Sequence, residues 1–187
     1  MKKIFCVLAI MILTFSQLTV YATDFSVIAK NPKIVQALQA LERVNKREVL
    51  LILFGHNTTK KPIRVMFREL EVYGLTNCEA VTMRTKNGGL VILIHKKHET
   101  APAETIASLI AHESQHHTMT GTKSEEIRAW IYEISTWNTF VRENREIASS
   151  DSELTKRLNY ISNLYKFDGE KKIVNIIAKN PVYADLN

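Results

Sequence analysis

Residues 112–116 read His112-Glu113-Ser114-Gln115-His116. On a helix, residues four apart lie one turn apart on one face, so the two imidazoles can meet a single cation from the same side. Glu113 lies roughly 100° around the helix from His112. Its carboxylate therefore sits beside such an ion rather than on it, placed to take a proton from water. Ala107, Leu109, Ile110 and Ala111 lead directly into His112, which predicts a buried helix. A buried imidazole pair beside a carboxylate is costly unless something satisfies it, and a metal ion does so.

A hydrolytic zinc site takes three protein ligands and leaves one position open. Glu125 and Glu126 follow closely enough to supply the third. Ile127, Trp130, Ile134, Trp137 and Val141 form the apolar stripe of the next predicted helix. At 100° per residue, Glu126 lies roughly 50° from the centre of that stripe and Glu125 roughly 150°. Glu126 then borders the buried face and Glu125 points to solvent. Thr122-Lys123-Ser124-Glu125 also reads as a capping box, which gives Glu125 a different task. The expected ligands are His112, His116 and Glu126, with Glu125 the alternative third ligand. Glu133, two turns beyond Glu126, either hydrogen-bonds a ligand histidine or is a solvated carboxylate at the core edge. Trp130 and Trp137 complete the stripe and read as core.

His112, Glu113 and His116, followed by Glu126-Ile127-Arg128-Ala129, resemble the zincin metallopeptidases. The downstream Glu makes the chain similar to their gluzincin branch, and residues 125–137 resemble small exported bacterial metallopeptidases. The resemblance covers about residues 90–140; larger gluzincins have a longer insert before the third ligand. It implies a zinc (Zn2+) peptidase with Glu113 as general base and a peptide or protein as substrate. It also implies an edge strand beside the active helix, for which Leu90–His95 is the natural equivalent. His95, His98, His117 and Tyr132 are the candidates for stabilising an oxyanion. Two other readings remain: a metal-stabilised binding or inhibitory module without catalysis, and a helical interaction domain with a chance motif.

The elements that must position these residues follow from pattern. Asn31-Pro32 caps and opens a helix to about Lys46. Val49 to Phe54 is a continuous apolar run, expected as a buried strand. Ile63 to Phe67 reads as a second strand. Cys78 to Lys86 and Leu90 to His95, joined by Asn87-Gly88-Gly89, read as a hairpin. Helices are then expected from Pro102 towards His117, from Lys123 to Arg145, after the capping box Ser150–Glu153, and finally between Gly169 and Asn180-Pro181. The order predicts an α+β fold with a small, mostly antiparallel sheet of about four strands, and the resemblance implies that it is a minimal zincin-like domain.

The chain has 187 residues, 45% of them hydrophobic and 24% charged, which excludes disorder and fits one compact domain. Lys2-Lys3, the apolar run Ile4–Phe15 and Val20-Tyr21-Ala22 have the layout of a secretory signal, with cleavage expected after Ala22. An uncleaved anchor is the alternative. Residues 23–187 then form the working domain, with one cysteine, Cys78, and two fewer positive charges than the +6 of the whole chain. A lone thiol in an exported protein forms no internal disulfide, and Cys78 is expected to be buried. Lys and Arg are scattered, which argues against a nucleic-acid partner. A periplasmic or secreted monomer, free of the membrane after cleavage, is expected.

Overall fold

Asn31 opens the first helix as its composition demands. Its side-chain oxygen accepts from Lys33 N at 2.9 Å, and Pro32 takes the first helical position of α1 (Pro32–Arg43). The Asn31 amide also donates to Glu99 Oε1 at 2.9 Å, tying α1 to the segment that leads into the histidine-bearing helix. The computed structural model describes residues 23–180 and Tyr183. The expected export signal, residues 1–22, lies outside the described residues.

Residues Arg47–Leu53 form a helix, α2, and not the expected strand. Val49, Ile52 and Leu53 are buried while Leu51 is 39% exposed. A continuous apolar run suits a buried strand or a helix equally, and here the one-turn spacing of the buried side chains decides. Among the described residues the sheet consequently has three strands rather than about four: β1 (Arg64–Arg68), β2 (Ala80–Arg84) and β3 (Leu90–His95).

The order is β1-β3-β2. β3 runs parallel to β1, with Val65 opposite Ile92, and antiparallel to β2, with Thr82 opposite Ile92. The sheet is therefore mixed, not mostly antiparallel. β3 is its most apolar strand and is buried along nearly its whole length, so it takes the centre, where both edges are paired. This overturns the expectation that Leu90–His95 is the edge beside the active helix; β2 is that edge. The hairpin over Asn87-Gly88-Gly89 is present: Thr85 N donates to Gly89 O and Gly88 N to Thr85 O, each at 2.9 Å. Gly88 has φ +72°, which L side chains adopt only at a cost.

Among the described residues, four further helices complete this α+β fold: α3 (Ala103–Ser114), α4 (Lys123–Glu143), α5 (Glu153–Asp168) and α6 (Glu170–Lys179). Every residue of α3 from Thr105 to Ser114 is buried, because α1, α4 and β2 pack around it. Its hydroxyls are satisfied within the helix: Thr105 donates to Pro102 O, Ser108 to Glu104 O and Ser114 to Ala111 O. Trp137 and Phe140 of α4, Leu38 of α1, Ile106 of α3 and Leu158 of α5 share one core. The cap of α5 is Ser152, which accepts from Thr155 N at 3.1 Å, two residues later than the expected start. No helix among the described residues is long and apolar enough to cross a membrane.

Candidate metal centre

α3 ends at Ser114, and the chain tightens into a 3-10 turn over Gln115–Thr118 before α4 begins. His112 and Glu113 thus sit on the last α-helical turn and His116 on the tighter one. The rings still face each other, with centroids 5.2 Å apart. α4 packs against α3 and brings Glu126, in its first turn, to the same point.

The three groups converge. His112 Nε2 and His116 Nε2 are 3.3 Å apart; His112 Nε2 is 3.6 Å from Glu126 Oε1 and His116 Nε2 3.4 Å from Glu126 Oε2. Donors about 2.0–2.1 Å from a tetrahedral ion lie roughly 3.3 Å from one another, so these separations suit zinc. The protonation pattern suits it as well. His112 Nδ1 lies 3.1 Å from Glu133 Oε2, an acceptor, so Nδ1 carries a hydrogen and the Nε2 lone pair points inward. His116 Nδ1 lies 3.8 Å from Glu125 Oε2 and is biased the same way. Two imidazole Nε2 atoms and a carboxylate then face one another, an arrangement that a cation, or a proton shared between them, relieves.

A second cluster, Glu69, Glu71 and His95, also has its ligand atoms within 4.8 Å of one another. There His95 Nδ1 accepts from Lys97 N at 3.1 Å, so the hydrogen lies on Nε2, which donates to Glu71 Oε1 at 2.8 Å. No imidazole lone pair is left for an ion. Glu69 is also 3.6 Å from Lys96 Nζ. The donor chemistry distinguishes the two clusters, not their spacing.

Glu125 is only 2% exposed, contrary to the solvent-facing position expected from the helix angle. The loop before α4 folds over that first turn and supplies the cover. Thr122 caps the helix, accepting from Glu125 N at 3.2 Å, but the Glu125 carboxylate does not return to Thr122. It accepts from Gly121 N at 3.0 Å and from the Thr118 hydroxyl. Burial raises its pKa, and hydrogen bonds from Thr118, Thr120 and Gly121 more than reverse this, leaving it lowered and ionised.

Glu133 is not a solvated carboxylate. It is fully buried between His112 and Arg157, whose guanidinium meets its two oxygens at 2.5 and 3.1 Å. Burial pushes Glu133 upward, but the Arg157 charge and the His112 hydrogen bond bring it down from 4.5 to about 2. A depressed carboxyl stabilises the fold above its unfolded pKa, and that stability is lost as pH falls towards the folded value. That loss falls between about pH 4.5 and 2. Urea unfolding of the metal-free protein should show this acid loss in the wild type and a flatter profile in Glu133→Gln. Parallel profiles would show that Glu133 is not held this way. For His112, burial lowers the pKa but Glu133, Glu113 and Glu126 together raise it above 6.5.

Glu113 faces β2. Its Oε2 accepts from Thr82 Oγ1 at 2.7 Å. A cavity of about 500 Å³ opens between β2 and the two helices, walled by Cys78 to Thr82 on one side and by His112, Glu113, His116 and Glu126 on the other. A larger groove of about 750 Å³ beside β1 contains no histidine. Cys78 is half-buried rather than buried, and burial together with the Glu113 charge raises its pKa, keeping it a thiol.

None of the four expected oxyanion candidates lines this cavity. His95 is held by Glu71, His98 by Glu79, and Tyr132 donates to Glu48 Oε2 at 3.2 Å. His117 has a buried Nδ1 without a hydrogen-bond partner among the described residues. Tyr183 and Arg157 do line it. The Tyr183 hydroxyl bonds Glu126, and burial, followed by the Glu126 charge, raises its pKa. Trp130, expected as core alone, also donates Nε1 to Glu126 Oε1 at 2.8 Å. Arg157 had a legible signal, since it lies three residues after Leu154 and four before Ile161, inside the apolar stripe of α5. No pattern marks Thr82 or Tyr183. No protein-family model matches this chain, and no curated protein or solved structure is found to be similar to it.

Proposed function

We propose that this protein is an exported zinc-dependent peptidase with a zincin-like, gluzincin-type site, in which His112, His116 and Glu126 hold the metal and Glu113 is the general base. The observation that carries the reading is the convergence of two imidazole Nε2 atoms and a carboxylate beside a second, hydrogen-bonded carboxylate. Bound zinc supplies Lewis acidity towards water and the scissile carbonyl. Glu113 takes the proton of the attacking water and delivers it to the leaving amine. Glu133 and Glu125 orient the two imidazoles. The free edge of β2 is the place for an extended peptide, fixed by main-chain hydrogen bonds. Tyr183 and Arg157 line the substrate cavity beside the metal-facing residues.

The test is zinc content together with cleavage of mixed peptide libraries. One equivalent of zinc, cleavage abolished by a chelator and restored by zinc is the expected result. Zinc without cleavage dependent on Glu113 assigns a metal-stabilised binding module instead. Absence of zinc binding removes both readings.

A further inference from the structure

Thr82 is 8% exposed and stands on β2, directly across from Glu113. Its hydroxyl oxygen is 2.7 Å from Glu113 Oε2 and 2.8 Å from the Glu113 carbonyl oxygen. One hydroxyl hydrogen serves one acceptor at a time, and an ionised carboxylate is the stronger. From these distances we infer that Thr82 is a positioning residue: it fixes the orientation of the Glu113 carboxylate beside the metal centre. The inference rests on the peptidase reading for its consequence, though not for the contact.

The reason lies in the freedom of the side chain. Glu113 has three rotatable bonds, and no other side chain among the described residues hydrogen-bonds its carboxylate. Without Thr82 the carboxylate would be free to turn away from the water it must face. The hydroxyl also suits both forms of the base. It donates to the carboxylate; when Oε2 carries a proton, the hydroxyl accepts from it and turns its own hydrogen to the Glu113 carbonyl. Neither form leaves a buried polar atom unpaired. Because Thr82 belongs to the edge strand, the base is held by the same element that borders the substrate cavity.

Two variants test this. Thr82→Val keeps the shape and removes the hydroxyl; Thr82→Ser keeps the hydroxyl. In the zinc-loaded protein, Thr82→Val should lower kcat about 10- to 100-fold, with KM and zinc affinity unchanged, as loss of a hydrogen bond to a charged group predicts. Thr82→Ser should restore kcat to within about threefold of wild type. The second readout needs no activity. Isotope-edited infrared spectra of metal-free protein carrying labelled glutamate carboxyls identify the Glu113 band by its loss in Glu113→Gln. That band should shift in Thr82→Val and stay in place in Thr82→Ser. An unshifted band in Thr82→Val overturns the contact, whether or not a substrate is known. A shifted band with undiminished kcat overturns the positioning role and leaves the peptidase reading standing. A wild type that cleaves nothing, with the band shift intact, counts against the peptidase reading and not against the contact.

Discussion

Glu113→Gln is expected to lower kcat for peptide cleavage by about 10²- to 10⁴-fold, the range general-base catalysis supplies. Zinc stoichiometry should stay at the wild-type value. Gln has the shape of Glu, and the Thr82 hydroxyl can donate to its amide oxygen as it does to Glu113 Oε2. The substitution therefore leaves the fold and the three metal-facing atoms in place and removes only the proton acceptor. KM should change little, since in the proposed mechanism Glu113 acts on the water and the leaving group. Steady-state kinetics and elemental zinc analysis on the same preparation check both halves. Activity within tenfold of wild type would remove Glu113 from the role of base.

The second large effect separates two neighbours. Glu126→Ala deletes the anion that faces both Nε2 atoms, and it strands the Trp130 indole N–H that now donates to Glu126. Zinc affinity should fall by more than the roughly 10- to 100-fold that loss of an outer partner costs. Glu125→Ala should fall inside that range. It removes the carboxylate behind His116 Nδ1 and frees the Gly121 N–H and the Thr118 hydroxyl, without touching the metal-facing atoms. Competition against a chromophoric chelator orders the two. A larger loss in Glu125→Ala would exchange the ligand assignments. Glu125 is buried, not the surface residue expected from helical angle alone.

That error shows where reading the chain stops working. Helical spacing measures an angle about one axis, and Glu125 does lie away from the stripe of Ile127, Trp130 and Ile134. What buries it is the loop through Thr118 and Gly121, which crosses the first turn of α4 from outside. The same limit explains Val49–Phe54: six apolar residues in a row carry no period, and only packing decided for helix. It explains β3 too. Its apolar run marked a strand correctly, but centre and edge are properties of strand order, which no single strand encodes.

The sequence by itself determined the local facts. The i, i+4 spacing of His112 and His116 puts both rings on one face through backbone geometry alone. Asn31-Pro32 starts α1 for a local reason, and Asn87-Gly88 turns the hairpin for another. The stripe on α4 placed Glu126 at the border of the core, where it is found. Tertiary structure decided everything that joins distant segments. Glu133 meets Arg157 twenty-four residues on, and Thr82 meets Glu113 thirty-one residues on. Glu133 could not have been assigned from its own helix, since both the histidine and the arginine that keep it ionised belong to other helices. A buried charge is tolerable only with its partners present, and those partners are chosen by how α3, α4, α5 and β2 pack.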